Sequence, residues 1–276
     1  MIIGLLHPGA MGAAVGARLV AAGYTVLWHT ENRSDATRKR ADDAKLTPCD
    51  SLAHLLRSAD VVISICPSAA AQAVAEEVSR HKFTGVYVDA NAVSPRRMES
   101  IAGAFEGTGI DVVDAVISGP PPTADASPKI FLSGSDHAIE QVGEPLEDSG
   151  FTVDVLSETI GRASALKMAL ISYQRPARLL AALAHGLADQ HGITDALIAE
   201  ASRIGADVLA DRDALPSVAA RAWRWEPEAH EVATSLAEYG LPDDFANTAA
   251  RLFQLLAVYK DNPDIAPEDV IKRLAF

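Results

Sequence analysis

The first residues of the chain constrain its fold more than any other stretch. Residues 2–6 are an apolar run, His7-Pro8-Gly9 is a tight turn, and Ala10-Met11-Gly12 open a small-residue segment with helical character. In such a strand–turn–helix unit the free backbone N–H groups at the helix start, aided by the helix dipole, can hold a pyrophosphate. Gly9 lets the backbone approach the phosphates, and Gly12 lets the helix lie close to its strand. Ala10 and Met11 belong to the same turn. His7 occupies the first glycine position of the Gly-x-Gly-x-x-Gly pattern, and Pro8 stiffens the turn after it. The alternative is a strand–helix turn with no ligand.

The order of elements supports the ligand reading. Residues 24–28, 61–66, 86–89, 110–113, 129–132 and 152–155 read as strands. Residues 69–79, 95–106 and 137–149 read as helices between them. Alternation of this kind predicts a parallel sheet covered on both faces, with the last strands adding an antiparallel edge. From Gly161 the pattern becomes almost entirely helical, beginning with a long helix over 163–190 that Pro176 should bend. The expected organisation is therefore an α/β, doubly wound sheet domain over 1–157 and an all-helical domain over 158–276. The Ala/Leu-rich faces of the helical part are numerous enough to predict a homodimer, with a compact monomeric cap as the alternative.

Composition narrows the function. The 276 residues are 49% hydrophobic, enough for a large core, and the formal net charge of −13 argues against nucleic-acid binding. Cys49 and Cys66 have no metal-ligand spacing, so no metal site is expected. No stretch reads as a membrane span or secretion leader, and a cytoplasmic setting is expected.

Ligands of parallel sheets gather beyond the carboxyl ends of the strands. In the loop after the second strand, Glu31 suits the ribose hydroxyls of NAD, whereas Arg33 and Ser34 suit the 2′-phosphate of NADP. The sequence favours NADP, with NAD as the alternative; Ser34 also reads as a helix cap. Cys66 and Pro67 end one strand, and Asn91 follows another, where it either reaches the nicotinamide half of the cofactor or only shapes the turn. Ser118 and Gly119 precede a stiff Pro120-Pro121-Pro122 run and can hold a carboxylate or other oxyanion, or else form a rigid turn. Lys167 stands in the small, apolar stretch Ser164-Ala165-Leu166-Lys167-Met168. A lysine there either snorkels to solvent or sits in a cleft, where it would exchange a proton with a substrate oxygen. Ser164, one turn earlier, and Gln174, two turns later, are candidate substrate contacts.

Several of these segments together resemble the β-hydroxyacid dehydrogenase and 6-phosphogluconate dehydrogenase superfamily: Gly9-Ala10-Met11-Gly12, Arg33-Ser34, residues 89–95, residues 164–168 and Ala222-Trp223-Arg224-Trp225. The narrower resemblance is to a small branch whose helical carboxyl-terminal domain is of unknown function. The resemblance implies an amino-terminal Rossmann domain, a helical domain that commonly dimerises, and hydride transfer between NADP or NAD and a small carbonyl or hydroxy compound. It places the substrate-binding serine-glycine pair at Ser118-Gly119 and the catalytic lysine at Lys167. The chain departs from the pattern at His7, Asn91-Ala92, Pro120, Ala163 and Ile171. Ile171 replaces an asparagine that usually assists the substrate. Imine or ketimine reduction is therefore the second enzymatic reading, and a dinucleotide-binding sensor without turnover is the third.

Overall fold

The computed structural model describes residues 1–123 and 126–275. It divides into two compact units, Met1–Lys167 and Met168–Phe276. The division lies past the boundary expected at residue 157, because the first turn of the long helix is hydrogen-bonded to strands of the sheet unit.

The chain runs β1 (Ile2–Leu5), α1 (Ala10–Ala21), β2 (Thr25–His29), α2 (Asp35–Asp43), β3 (Thr47–Cys49), α3 (Leu52–Ser58), β4 (Val61–Ser64) and α4 (Ser68–Ser79). It continues with β5 (Val86–Asp89), α5 (Pro95–Gly103), β6 (Asp111–Ser118), β7 (Lys129–Ser133), α6 (Asp136–Asp148) and β8 (Thr152–Ser157). The eight strands form one sheet in the order β3-β2-β1-β4-β5-β6-β7-β8. Strand β7 runs antiparallel to β6; every other neighbouring pair is parallel. The first six strands thus have the doubly wound order of a Rossmann sheet, with its reversal between β1 and β4.

Strand alternation builds the two faces. Val86 and Val88 of β5 join Ile3, Leu5, Val15, Leu19 and Val142 on one side. Tyr87 between them joins Leu55, Val78, Met98 and Ile101 on the other. Both faces are buried, which explains why these strands are apolar without interruption. Helix starts also follow the sequence. Ser34, Ser51, Ser94 and Ser135 accept a backbone N–H at the starts of α2, α3, α5 and α6. The helices α1 and α4 have no side-chain cap. They follow β1 and β4, the two strands that straddle the reversal.

One expectation needs correction. Strand β6 extends to Ser118 rather than ending near Val113, so Asp114 lies inside a strand and not in the turn after it. Pairing with β7 continues through Ser118↔Lys129 and keeps the backbone extended.

The second unit is helical. Its long first helix α7 (Arg162–His191) begins in the sheet unit and is followed by α8 (Thr194–Arg203), α9 (Asp207–Ala210), α10 (Leu215–Glu238), α11 (Asp244–Leu256) and α12 (Pro267–Leu274). Leu179 and Ala182 of α7, Val218, Ala222 and Trp225 of α10, Phe253 and Leu256 of α11, and Val270 of α12 share one core. No helix among the described residues is long and apolar enough to cross a membrane.

Candidate functional site

The turn after β1 is held by its neighbours. Arg33 Nη2 donates to the Leu6 carbonyl at 3.1 Å, and Arg40 Nε donates to the Pro8 carbonyl at 3.3 Å. The His7 carbonyl accepts the Gly9 N–H at 2.8 Å. A Cβ on Gly12 would stand 2.4 Å from that same carbonyl, so only glycine lets α1 approach the turn. Gly9 is different: a Cβ there would meet no protein atom within 4 Å. No packing requirement among the described residues therefore demands a glycine at this position. Ala10 is exposed and Met11 half-buried beside it. An uncapped helix start facing open space is what a pyrophosphate requires, and the residues present fit a dinucleotide.

Beyond β2, His7, His29 and Arg33 line one pocket with Leu6, Leu52, Val74, Glu77 and Val78. Arg33 Nη2 also donates to His29 Nε2, which leaves the His29 ring proton on Nδ1. Burial, reinforced by the Arg33 charge, brings His29 down to about 4. His7 is likewise brought down to about 4 by burial, then by Arg33 and His29. Both rings are neutral at pH 7. His7 Nδ1, His29 Nδ1 and Arg33 Nε are buried polar atoms with no hydrogen-bond partner among the described residues. Ser34 accepts the Thr37 N–H at 3.3 Å, so its hydroxyl caps α2, and Glu31 is exposed.

The ends of β4 and β5 are tied together. Asn91 Oδ1 accepts the Cys66 N–H at 2.5 Å, and its Nδ2 donates to Ser64 Oγ at 3.2 Å. Asn91 is only 4% exposed, and both ends of its amide serve the strand ends, which is the turn-shaping role the sequence offered beside a cofactor contact. Burial pushes the Cys66 thiol up to about 12, so it is not a thiolate nucleophile at neutral pH. Pro67 is exposed at the start of α4. Burial also pushes the Asp89 carboxyl up to about 7.

The lysine helix is fastened to β6 and β7 by groups that sequence reasoning misses. Asp114 Oδ2 accepts the N–H groups of Gly161 and Ser164, both at 3.0 Å, and Oδ1 accepts the Ser164 hydroxyl at 2.8 Å. Ser133 Oγ accepts the Ala163 N–H at 2.9 Å. Ser164, expected to meet substrate, is instead fully buried, and its hydroxyl is donated to Asp114. The signal that could have found Asp114 is an acid in the middle of the apolar run Val112 to Ile117, since a charge is buried there only with several donors. From this fixed start, Lys167 Nζ reaches the Ile117 carbonyl at 2.9 Å. Ile117 immediately precedes Ser118, so the structure brings Lys167 and Ser118 together. Gly119 takes φ +135 there, a conformation that favours glycine. Gln174 is exposed and lies in the helical unit, as does the buried Ile171. Among the described residues there is no group of side chains fit to hold a metal ion.

Comparison with known proteins places this geometry. A curated relative, an uncharacterized 28.5 kDa protein of Methanothermus fervidus, is 26% identical over 168 residues; the match spans 61% of this chain and 63% of that protein. Among solved structures, a conserved protein of unknown function with structural similarity to 3-hydroxyacid dehydrogenases is 27% identical, with 100% of both chains covered and a TM-score of 0.71. The fold is shared with the 3-hydroxyisobutyrate dehydrogenase of Mycobacterium tuberculosis (19% identity, 100% and 99% covered, TM-score 0.76). It is shared too with an imine reductase of Streptomyces aurantiacus (22% identity, 100% of both chains covered, TM-score 0.64). Residues 188–256 match a domain of unknown function. A match that runs from residue 2 to residue 157, over more than half of the chain, makes this protein a member of the family of the NAD binding domain of 6-phosphogluconate dehydrogenase.

Proposed function

We propose that this protein is an NADP-dependent oxidoreductase acting on a small carbonyl or hydroxy compound, with Lys167 as its proton donor and acceptor. The observation that carries the reading is Lys167 Nζ on the Ile117 carbonyl, next to Ser118, in a chain with a dinucleotide-binding fold. The bound cofactor supplies or takes the hydride. The first-turn N–H groups of α1 hold its pyrophosphate, and Arg33 with Arg38 and Arg40 of α2 favours the 2′-phosphate over a bare ribose. Ser118 and Gly119 orient the substrate oxygen. Lys167 gives that oxygen a proton as its carbon is reduced, and recovers one from water; in the reverse direction it takes the proton. Asp114 fixes the helix from which the lysine projects.

Imine reduction is the second reading. It is favoured by Ile171, an apolar side chain only 2% exposed where a polar substrate contact is expected. Absorbance of NADPH and NADH, followed with carbonyl, hydroxyacid and imine candidates, separates the chemistries. Binding of nucleotide without turnover of any class supports the sensor reading. Full turnover retained by Lys167→Met overturns the role of the lysine. We propose further that the protein is a homodimer through α7. Tyr173, Leu180 and Leu187 lie seven residues apart and are 74%, 55% and 65% exposed, a stripe suited to the same stripe of a second copy. A charged residue at Leu180 should give a monomer in sedimentation.

A further inference from the structure

The helical unit contains a concentration of positive charge that the fold compensates only in part and the hydride chemistry does not use. Arg175 and Arg178 stand one turn apart on α7, and Arg221 and Arg224 one turn apart on α10. Trp225 brings one arginine of each pair together: its ring centroid lies 4.2 Å from the Arg175 guanidinium and 5.1 Å from that of Arg221. The indole is itself fixed in the core, edge-on to Phe253 at 5.6 Å. Arg224 packs over Trp223 at 5.8 Å and is exposed.

Counter-charge is short at this place. Glu228 accepts from Arg175 Nε at 3.2 Å and from Nη2 at 2.9 Å, which neutralises that guanidinium and turns it onto the indole. Arg221 donates Nε and Nη2 to the carbonyl and hydroxyl of Ser217, both uncharged. Arg178 has no hydrogen-bond acceptor or acid among the described residues, although it is half-buried. Burial lowers the Arg221 pKa, and the charges acting in the same direction are Arg178, Arg175 and Arg224. Half-buried guanidiniums that repel one another are costly without an anion. In a chain of net charge −13 the cluster is not a consequence of composition.

We propose that Arg178 and Arg221 form an anion site in the helical unit that takes the carboxylate or phosphate of a small organic acid. Ser217 aims Arg221, while Glu228 and Trp225 hold Arg175 as a wall. The Arg178 guanidinium fork matches a planar or tetrahedral oxyanion, which a lysine would not orient, and Arg221, whose Nε and Nη2 are held by Ser217, adds its charge and its remaining Nη1. The cluster occupies about one turn of each helix, and the rest of the chain is acidic, so the geometry selects a small anion over a polyanion such as nucleic acid. The site is independent of the oxidoreductase reading.

The test is calorimetric titration of the full chain, saturated with NADPH, with inorganic phosphate and separately with succinate against a constant chloride background. Saturable binding is expected, weakened about tenfold or more by Arg178→Ala and by Arg221→Ala, and changed less than about threefold by Arg224→Ala. Stronger binding of phosphate assigns the site to a phosphate ester; stronger binding of succinate assigns it to a carboxylate. Arg221→Ala alters packing on Trp225, so Arg178→Ala, which removes no bond within the fold, decides the matter. The proposal is overturned by absence of saturable binding in the wild type, or by full binding in Arg178→Ala. It also falls if Arg178→Glu converts a dimer to monomer in sedimentation, because an acid of a second copy then fills the cluster.

Discussion

Two helix starts in the sheet unit treat the same physical problem in opposite ways. Both α1 and α7 begin beyond strand ends, and each presents unpaired N–H groups with the positive end of a helix dipole. At α7 the protein fills the position itself, with the buried Asp114 carboxylate and the Ser133 hydroxyl. At α1 it leaves the position open: the preceding residue is Gly9, which has no cap to offer and no neighbour where its side chain would be. A filled start anchors a side chain of the chain, here Lys167. An open start is left for a charge that arrives from outside.

The sharpest way to break this comparison is at the anchored side chain. Lys167→Met should lower turnover about 10²–10⁴-fold while leaving NADPH affinity near wild type, as read by rates and by nucleotide fluorescence. Next is the filler itself. Asp114→Asn keeps the shape but turns an amide N–H toward backbone donors, and should cost about 2 kcal/mol in urea unfolding. A smaller and opposite-signed effect is expected at α1. Gly9→Asp supplies the missing cap, and the extended backbone there, with φ −72, accepts it. Unfolding stability should rise by about 1 kcal/mol while NADPH binding weakens, because a carboxylate then occupies the phosphate position. If both quantities rise, α1 is not the cofactor's helix.

The smallest effects are in pH dependence, and the two regions should differ in sign. His29 is held at about 4, below its ordinary 6.5. Its neutral form is the one the fold accepts, so the associated stability is present above pH 6.5 and is lost as pH falls through 4. His29→Gln should flatten that acid limb. Asp89, register neighbour of Asp114, is held at about 7, above its ordinary 3.8. The fold accepts the protonated carboxyl, so stability falls as pH rises from about 4 to 7, and Asp89→Asn should remove that decline. Melting temperatures of the two variants across pH 4–7 check both signs.

The centre of the sheet is legible in the sequence because β1, β4 and β5 are buried on both faces and therefore read as apolar runs punctuated by glycine and serine. The open start of α1 is legible for the same local reason: Gly9 and Gly12 are adjacent to the strand they serve. The anchored start is only half legible. Lys167 stands out as a charge among small apolar residues, but the group that fixes it, Asp114, lies far away in sequence and looks like the beginning of a turn until β7 pairs with β6. Ser164 stands out for its spacing from Lys167; its partner does not, so spacing alone assigns it to substrate rather than to the helix cap. Asn91 leaves two roles open in the same manner, because its two partners, Ser64 at the end of β4 and Cys66 just beyond it, are distant in sequence. Tertiary hydrogen bonds of this kind leave no periodic trace. The short β3 and the helix α3 escape sequence reasoning because three and seven residues are too few to establish a period.

The two arginine bonds to the turn after β1 have a consequence for redesign. Arg33 holds the Leu6 carbonyl and Arg40 the Pro8 carbonyl, so the side chains that would discriminate between nucleotides are also struts of the scaffold that carries both. Exchanging Arg33 for an acid to favour the unphosphorylated nucleotide would withdraw a brace and deprive His29 of its donor in the same step. On the proposed reading, selectivity and rigidity are inherited together at these two arginines, and an engineer who wishes to change one must first find another support for the other.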